Sequence, residues 1–170
     1  LIVVSRDLSK FAYASDVSQT MQNAMDNWED VFNELTSLSN DLNRGNLKSK
    51  KFEPKNVLSP LPRSYQWADG SAYVNHVHLV RKARGADMPD SFWNDPLMYQ
   101  GGSDDFIPPL SPIYLPDESW GIDMEGEIAV ITGKVNMGTS SKKALSSIRL
   151  LMLVNDVSLR NLIPNELSKG

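Results

Sequence analysis

Within "WGIDMEGEIAVITG", residues 120–133, acids recur at every second position: Asp123, Glu125 and Glu127. Alternate side chains of an extended strand share one face, about 7 Å apart, so the three carboxylates would stand in a row. Like charges so arranged repel, and the row needs either water or a positive partner. A further acid, Asp156, closes the apolar run "LLMLVND", where an unpaired carboxylate in a buried strand would be costly. Its nearest cation in sequence is Arg160. Two readings stay open. Asp156 is held at a strand-end turn by local backbone or by Arg160, or it joins the acid row. Three or four carboxylates converging from separate strands make a hard oxygen site, which suits Mg²⁺ or Ca²⁺ and not Zn²⁺.

Both histidines lie in "WADGSAYVNHVHLVRKARG": His76 and His78 follow Asp69 closely. On a strand, an H-x-H pair would point both rings the same way and could grip a transition metal, with carboxylates completing the set. Beside an acid-bound metal, a single histidine is more useful as a general base, because an unperturbed imidazole titrates near about 6.5. A purely structural histidine is the other reading. In "PLMYQGGSDDF", Tyr99 precedes Gly101 and Gly102, whose backbone N–H groups could face a carboxylate or phosphate or could simply turn the chain. The chain carries no P-loop, dinucleotide fingerprint or nucleophile elbow.

The elements that must hold these residues are read from periodicity. "EIAVITG" is a strand, and "LLMLV" is a buried strand ending on Asn155 and Asp156, preceded by a short helix marked by Ala144, Ile148 and Leu151. "SAYVNHVHLV" and "SPIYLP" are further β-prone runs, so the region after residue 62 is mainly sheet. Upstream, "LIVVSRD" is strand-like. Met21, Met25, Trp28, Phe32, Leu35, Leu38 and Leu42 then form one apolar stripe on a long helix, with a capping box at Asp16 and Gln19 and a left-handed cap at Gly45. The stripe is for packing and carries no chemistry. Pro54, Pro60 and Pro62 mark a boundary, dividing the chain into residues 1–62, a strand–helix segment and linker, and residues 63–170. Lys48, Lys50 and Lys51 read as a solvated part of the linker. Leu1 opens on a strand without a methionine and "ELSKG" closes without a polar tail, so the expectation is a piece of a longer polypeptide.

Bulk composition narrows the function classes. The 170 residues are 41% hydrophobic, enough for one ordinary core or one core plus a small appendage. A net charge of −4 and a pI of about 5.1 argue against nucleic acid or an anionic membrane as partner. Without cysteine there is neither a disulfide nor thiolate chemistry. No apolar run approaches the roughly 20 residues that span a bilayer, and no signal-peptide pattern opens the chain, which makes the cytoplasm the expected compartment.

"DMEGEIAVITG" followed by "LVNDVSLRN", with "WADGSAYVNHVHLVRKARG" and "PLMYQGG" upstream in that order, resembles the fumarylacetoacetate hydrolase family, whose signature is an E-x-E strand and a later N-D-x-S-x-R segment. The resemblance covers Pro62 to Gly170. It implies that Asp69, Glu125, Glu127 and Asp156 bind one Mg²⁺ or Ca²⁺, with Asp123 outside the set. It implies that His76 is catalytic and that Tyr99 and, with a one-residue shift, Arg84 contact substrate. The implied reaction is hydrolysis of a carbon–carbon bond in a small β-diketo acid of fumarylacetoacetate or acylpyruvate type, a step of aromatic amino-acid catabolism. The implied fold is α+β and β-rich: the start of a mixed β-sandwich roll over 63–170, usually a homodimer. Three departures go with it. The family lysine is expected beyond Gly170, the acid that orients the histidine comes from later sequence, and Ser71 stands where the family has an aromatic residue. Relatives on this scaffold also hydrate or decarboxylate 2-oxo acids, so a lyase is the alternative. A non-catalytic β-rich binding domain with a solvated acid face is the second.

Overall fold

The computed structural model describes residues 1–95 and 97–169. The chain forms two compact units, Leu1–Phe52 with Ser111–Gly170, and Glu53–Leu110. Among the described residues the architecture is a mixture of helices and three antiparallel sheets.

In the first unit, β1 (Ile2–Val4) and β2 (Lys10–Tyr13) make a hairpin with Val3 opposite Ala12, and β3 (Lys50–Lys51) adds beside β2. Two of the three lysines read as linker therefore form a short edge strand, a position where lysine discourages further strand pairing. Asp7 organises the hairpin loop. Its Oδ1 accepts hydrogen bonds from the Ser5 hydroxyl (2.6 Å), the Ser9 hydroxyl (2.8 Å) and the Ser9 N–H (3.1 Å). These donors, the Ser5 hydroxyl foremost, lower its pKa from 3.8 to about 2.

The apolar stripe does not form one helix. It is divided into α1 (Met21–Asp26) and α2 (Trp28–Arg44). Asn27 breaks it: its φ of −118° and ψ of 31° are not helical, and its side chain donates back to the Asn23 carbonyl at 2.9 Å. Such local side-chain bonds compete with the helix ladder. The N-terminal cap is Thr20, whose hydroxyl accepts from the Asn23 N–H at 3.0 Å, in place of the expected Asp16–Gln19 box. Gly45 closes α2 in the left-handed conformation, φ +81°, as its position predicted. α2 packs on β1 and β2. Among the described residues, the buried apolar side chains are Ala12, Ala14, Ala24, Val31 and Leu42. Of the stripe, Leu42 reaches the interior fully, whereas Phe32 is exposed and stacks with Trp28, ring centroids 5.4 Å apart.

In the second unit, β4 (Ala68–Ser71) pairs with β5 (Leu97–Gln100), and between them lies α3 (Val74–Ala83). α3 replaces the strand expected from "SAYVNHVHLV". His76, Val77, Val80 and Arg81 are its half-buried residues, a helical rather than an alternating spacing. It ends in a left-handed Gly85, with the Ala86 N–H bonded to the Arg81 carbonyl at 2.9 Å. Gly101 has a packing reason: a Cβ there would sit 1.8 Å from the Trp67 ring, whose Nε1–H donates to the Gly102 carbonyl at 3.0 Å.

The chain then supplies the first unit with β6 (Ile122–Thr132) and β7 (Ile148–Leu159), a long two-stranded ribbon. "SPIYLP" has no regular structure. α4 (Ser141–Ala144) joins the two strands, so of the expected short helix only the Ala144 end is helical, while Ile148 and Leu151 belong to β7. α5 (Ile163–Leu167) follows. Two expectations for the ribbon change. "LLMLV" is not buried, since Leu151 and Leu153 are 69% and 84% exposed, and the strand runs past Asp156 to Leu159. An Arg149–Glu29 ion pair ties β7 to α2. No helix among the described residues is long and apolar enough to cross a membrane.

Candidate metal centre

The two-residue period of β6 puts Asp123, Glu125 and Glu127 on one face. The antiparallel register then decides what stands beside them. Glu125 faces Asp156, Asp123 faces Ser158, and Glu127 faces Val154. Asp156 therefore joins the acid row from mid-strand rather than from a strand-end turn. Carboxylate oxygens of Glu127 and Asp156 lie within 4.8 Å of one another. Glu125, Glu127 and Asp156 are half-buried, whereas Asp123 is exposed. This donor set is all oxygen and carries one negative charge per residue, the chemistry that a hard divalent cation takes and a soft one does not. The residues fit such an ion.

The row also has a resident positive partner. Arg160, one residue past β7, donates from Nε to Asp123 Oδ2 at 3.0 Å and from Nη2 to Glu125 Oε1. Sequence reasoning set Arg160 against Asp156. Strand parity could have found the actual contacts, because residues 156, 158 and 160 share a face and Ser158 already stands opposite Asp123.

Five other sequence-selected residues lie in the second unit. Asp69 on β4 and Tyr99 on β5 are direct cross-strand partners, and the Tyr99 hydroxyl donates to Asp69 Oδ2 at 2.5 Å. This bond orients the Asp69 carboxylate. His76 is half-buried in the first turn of α3. His78, two positions on, is rotated about 200° around the helix, so the two rings do not share a face and the histidine-pair metal site is ruled out. His78 instead lines an open hollow of about 510 Å³ with Tyr73, Met88 and Trp93. Arg84 is the exposed C-terminal cap of α3, roughly 12 Å along the axis from His76.

Comparison with known proteins matches both parts of the chain. The family model described as fumarylacetoacetase N-terminal domain 2 matches residues 1–63. The one described as fumarylacetoacetate (FAA) hydrolase C-terminal matches residues 66–169. No curated protein matches the chain.

Proposed function

Because the chain belongs to the fumarylacetoacetate hydrolase family, whose members are divalent-metal-dependent enzymes, we propose that it hydrolyses a carbon–carbon bond of a small β-diketo acid. The observation that carries this reading is the acid face of the ribbon, where Asp156 stands opposite Glu125 and within 4.8 Å, oxygen to oxygen, of Glu127. In the proposal these three hold one Mg²⁺ or Ca²⁺, and Asp69 joins them by family likeness. When bound, the ion supplies Lewis acidity for the diketo oxygens and offsets negative charge on the departing enolate.

The remaining steps belong to the chain's own groups. His76 accepts a proton from water, and the hydroxide adds to the neighbouring carbonyl carbon. The bond from that carbon to the next breaks, its electron pair leaves as the enolate, and a proton returns to carbon. Tyr99 keeps Asp69 oriented through its hydroxyl and contacts the substrate, and Arg84 neutralises a substrate carboxylate. The proposal keeps the division at residues 1–62 and 63–170, with the second part entering a β-sandwich roll, and takes the enzyme to be a cytoplasmic homodimer in aromatic amino-acid catabolism.

The test is turnover of acylpyruvate and fumarylacetoacetate by purified protein in chelator, then with Mg²⁺ or Ca²⁺ restored. His76→Ala is expected to bind the ion as before in titration calorimetry while hydrolysis falls roughly 10²- to 10⁴-fold. Unchanged turnover by that variant would move the base elsewhere. A 2-oxo acid that is hydrated or decarboxylated while the diketo acids stay intact would turn the assignment to a lyase.

A further inference from the structure

Arg160 is more firmly placed than its position one residue past the end of β7 requires. Its N–H donates to the Gly121 carbonyl at 2.9 Å, extending the ladder beyond β7, and the Asn161 N–H follows to Trp120 at 3.1 Å. Asn161 also donates from its side chain to the Ser119 carbonyl at 2.8 Å. Gly121 is left-handed, φ +69°, and a Cβ on it would lie 2.8 Å from the Asn161 side chain. The end of the ribbon is thus clamped, and the clamp aims Arg160 along the acid face. Its side chain is 30% exposed and that of Glu125 only 11%. Burial acts to lower the pKa of Arg160, yet Asp123 and Glu125 outweigh it and the net shift is upward.

We infer that Arg160 is a built-in counter-ion of the acid row, which keeps Asp123 and Glu125 aligned without a metal and competes with an incoming divalent cation for Glu125. The inference rests on reading the row as a cation site. Its physical basis is charge. A guanidinium shared between two carboxylates relieves their repulsion, but it also repels a dication brought to the same half-buried face, where water screens poorly. Arg160 is then a positioning residue that lowers metal affinity and supports the metal-free fold. A merely structural residue would, when replaced, weaken both.

The experiment uses chelator-treated full chain titrated calorimetrically with MgCl₂ and, separately, CaCl₂, together with thermal unfolding in chelator. Arg160→Met keeps reach and apolar contact but removes the charge. It is expected to bind the ion about tenfold more tightly or better and to unfold at a lower temperature without metal. Arg160→Lys retains the charge and should stay within about threefold of the parent affinity. Where the parent binds and Arg160→Met is unchanged or weaker, the counter-ion role is wrong and the cation site stands. A gain in Arg160→Lys equal to that in Arg160→Met would also overturn it, because charge would not be the cause. A parent chain that takes up neither ion removes the cation site, and this inference with it.

Discussion

Residues 1–52 and the β6–β7 ribbon share one compact unit but are held together differently. The first region buries Ala12, Ala14, Ala24 of α1, and Val31 and Leu42 of α2. The ribbon has no fully buried side chain and leaves Met124, Ile128, Leu151 and Leu153 between 69% and 84% exposed, on the face opposite the acids. Its coherence comes from the backbone ladder and from Arg160 and Arg149 pairing with acids. Apolar burial dominates stability, so packing defects should register in the N-terminal region and charge defects in the ribbon. The difference teaches that the candidate chemistry sits where the core contributes least. Removing a carboxylate there should cost function before fold.

The largest expected effect breaks the ribbon's side of that contrast. Glu125→Ala or Asp156→Ala should abolish Mg²⁺ and Ca²⁺ binding in calorimetry, and with it turnover, while far-UV circular dichroism stays that of the parent. Full activity of either variant in chelator would refute the metal assignment. The next effect tests the other side. Leu42 is completely buried, and Leu42→Ala should lower unfolding free energy in denaturant by about 2–5 kcal/mol without changing metal affinity. A loss of affinity alongside that destabilisation would mean that the helical region and the acid face act as one.

The smallest effect concerns Asp7, in the hairpin of the well-packed region. Its pKa falls to about 2 from 3.8 on folding, so the folded chain takes up this proton less readily than the unfolded one. The associated stability is complete above about pH 4 and disappears as pH drops through about 2. NMR titration of the Asp7 carboxyl should give the low midpoint, and Ser5→Ala should raise it toward the ordinary value by removing the first of its donors. A midpoint that stays low in Ser5→Ala would assign the shift to Ser9 alone.

Legibility in the sequence followed how local each signal was. β1, the alternation over 122–132 and the Gly45 cap are set by neighbours within a few residues, and each appears as expected. The region from Ala72 to Gly85 misled for a comparable reason. Val74, His76, His78 and Val80 imitate a two-residue period and two of them are β-branched, yet "RKARG" is a helix ending with basic residues before a left-handed glycine. The break at Asn27 was hidden because apolar spacing continues across it; the non-helical backbone of Asn27 and its side chain's bond to the Asn23 carbonyl show the interruption. The exposed Phe32 belongs to the same lesson, since a periodic stripe says which residues align and not which of them find cover.

By itself the sequence determined that Asp123, Glu125 and Glu127 share a face and that their donors are hard oxygens, because strand parity and side-chain chemistry need no distant partner. Tertiary structure decided that Asp156 stands opposite Glu125, that Arg160 reaches Asp123 and Glu125, and that Tyr99 holds Asp69. Pairing register depends on which backbone groups meet across a long connection, and a shift of one residue would turn every side chain of a strand to its other face. No short stretch of residues encodes that choice.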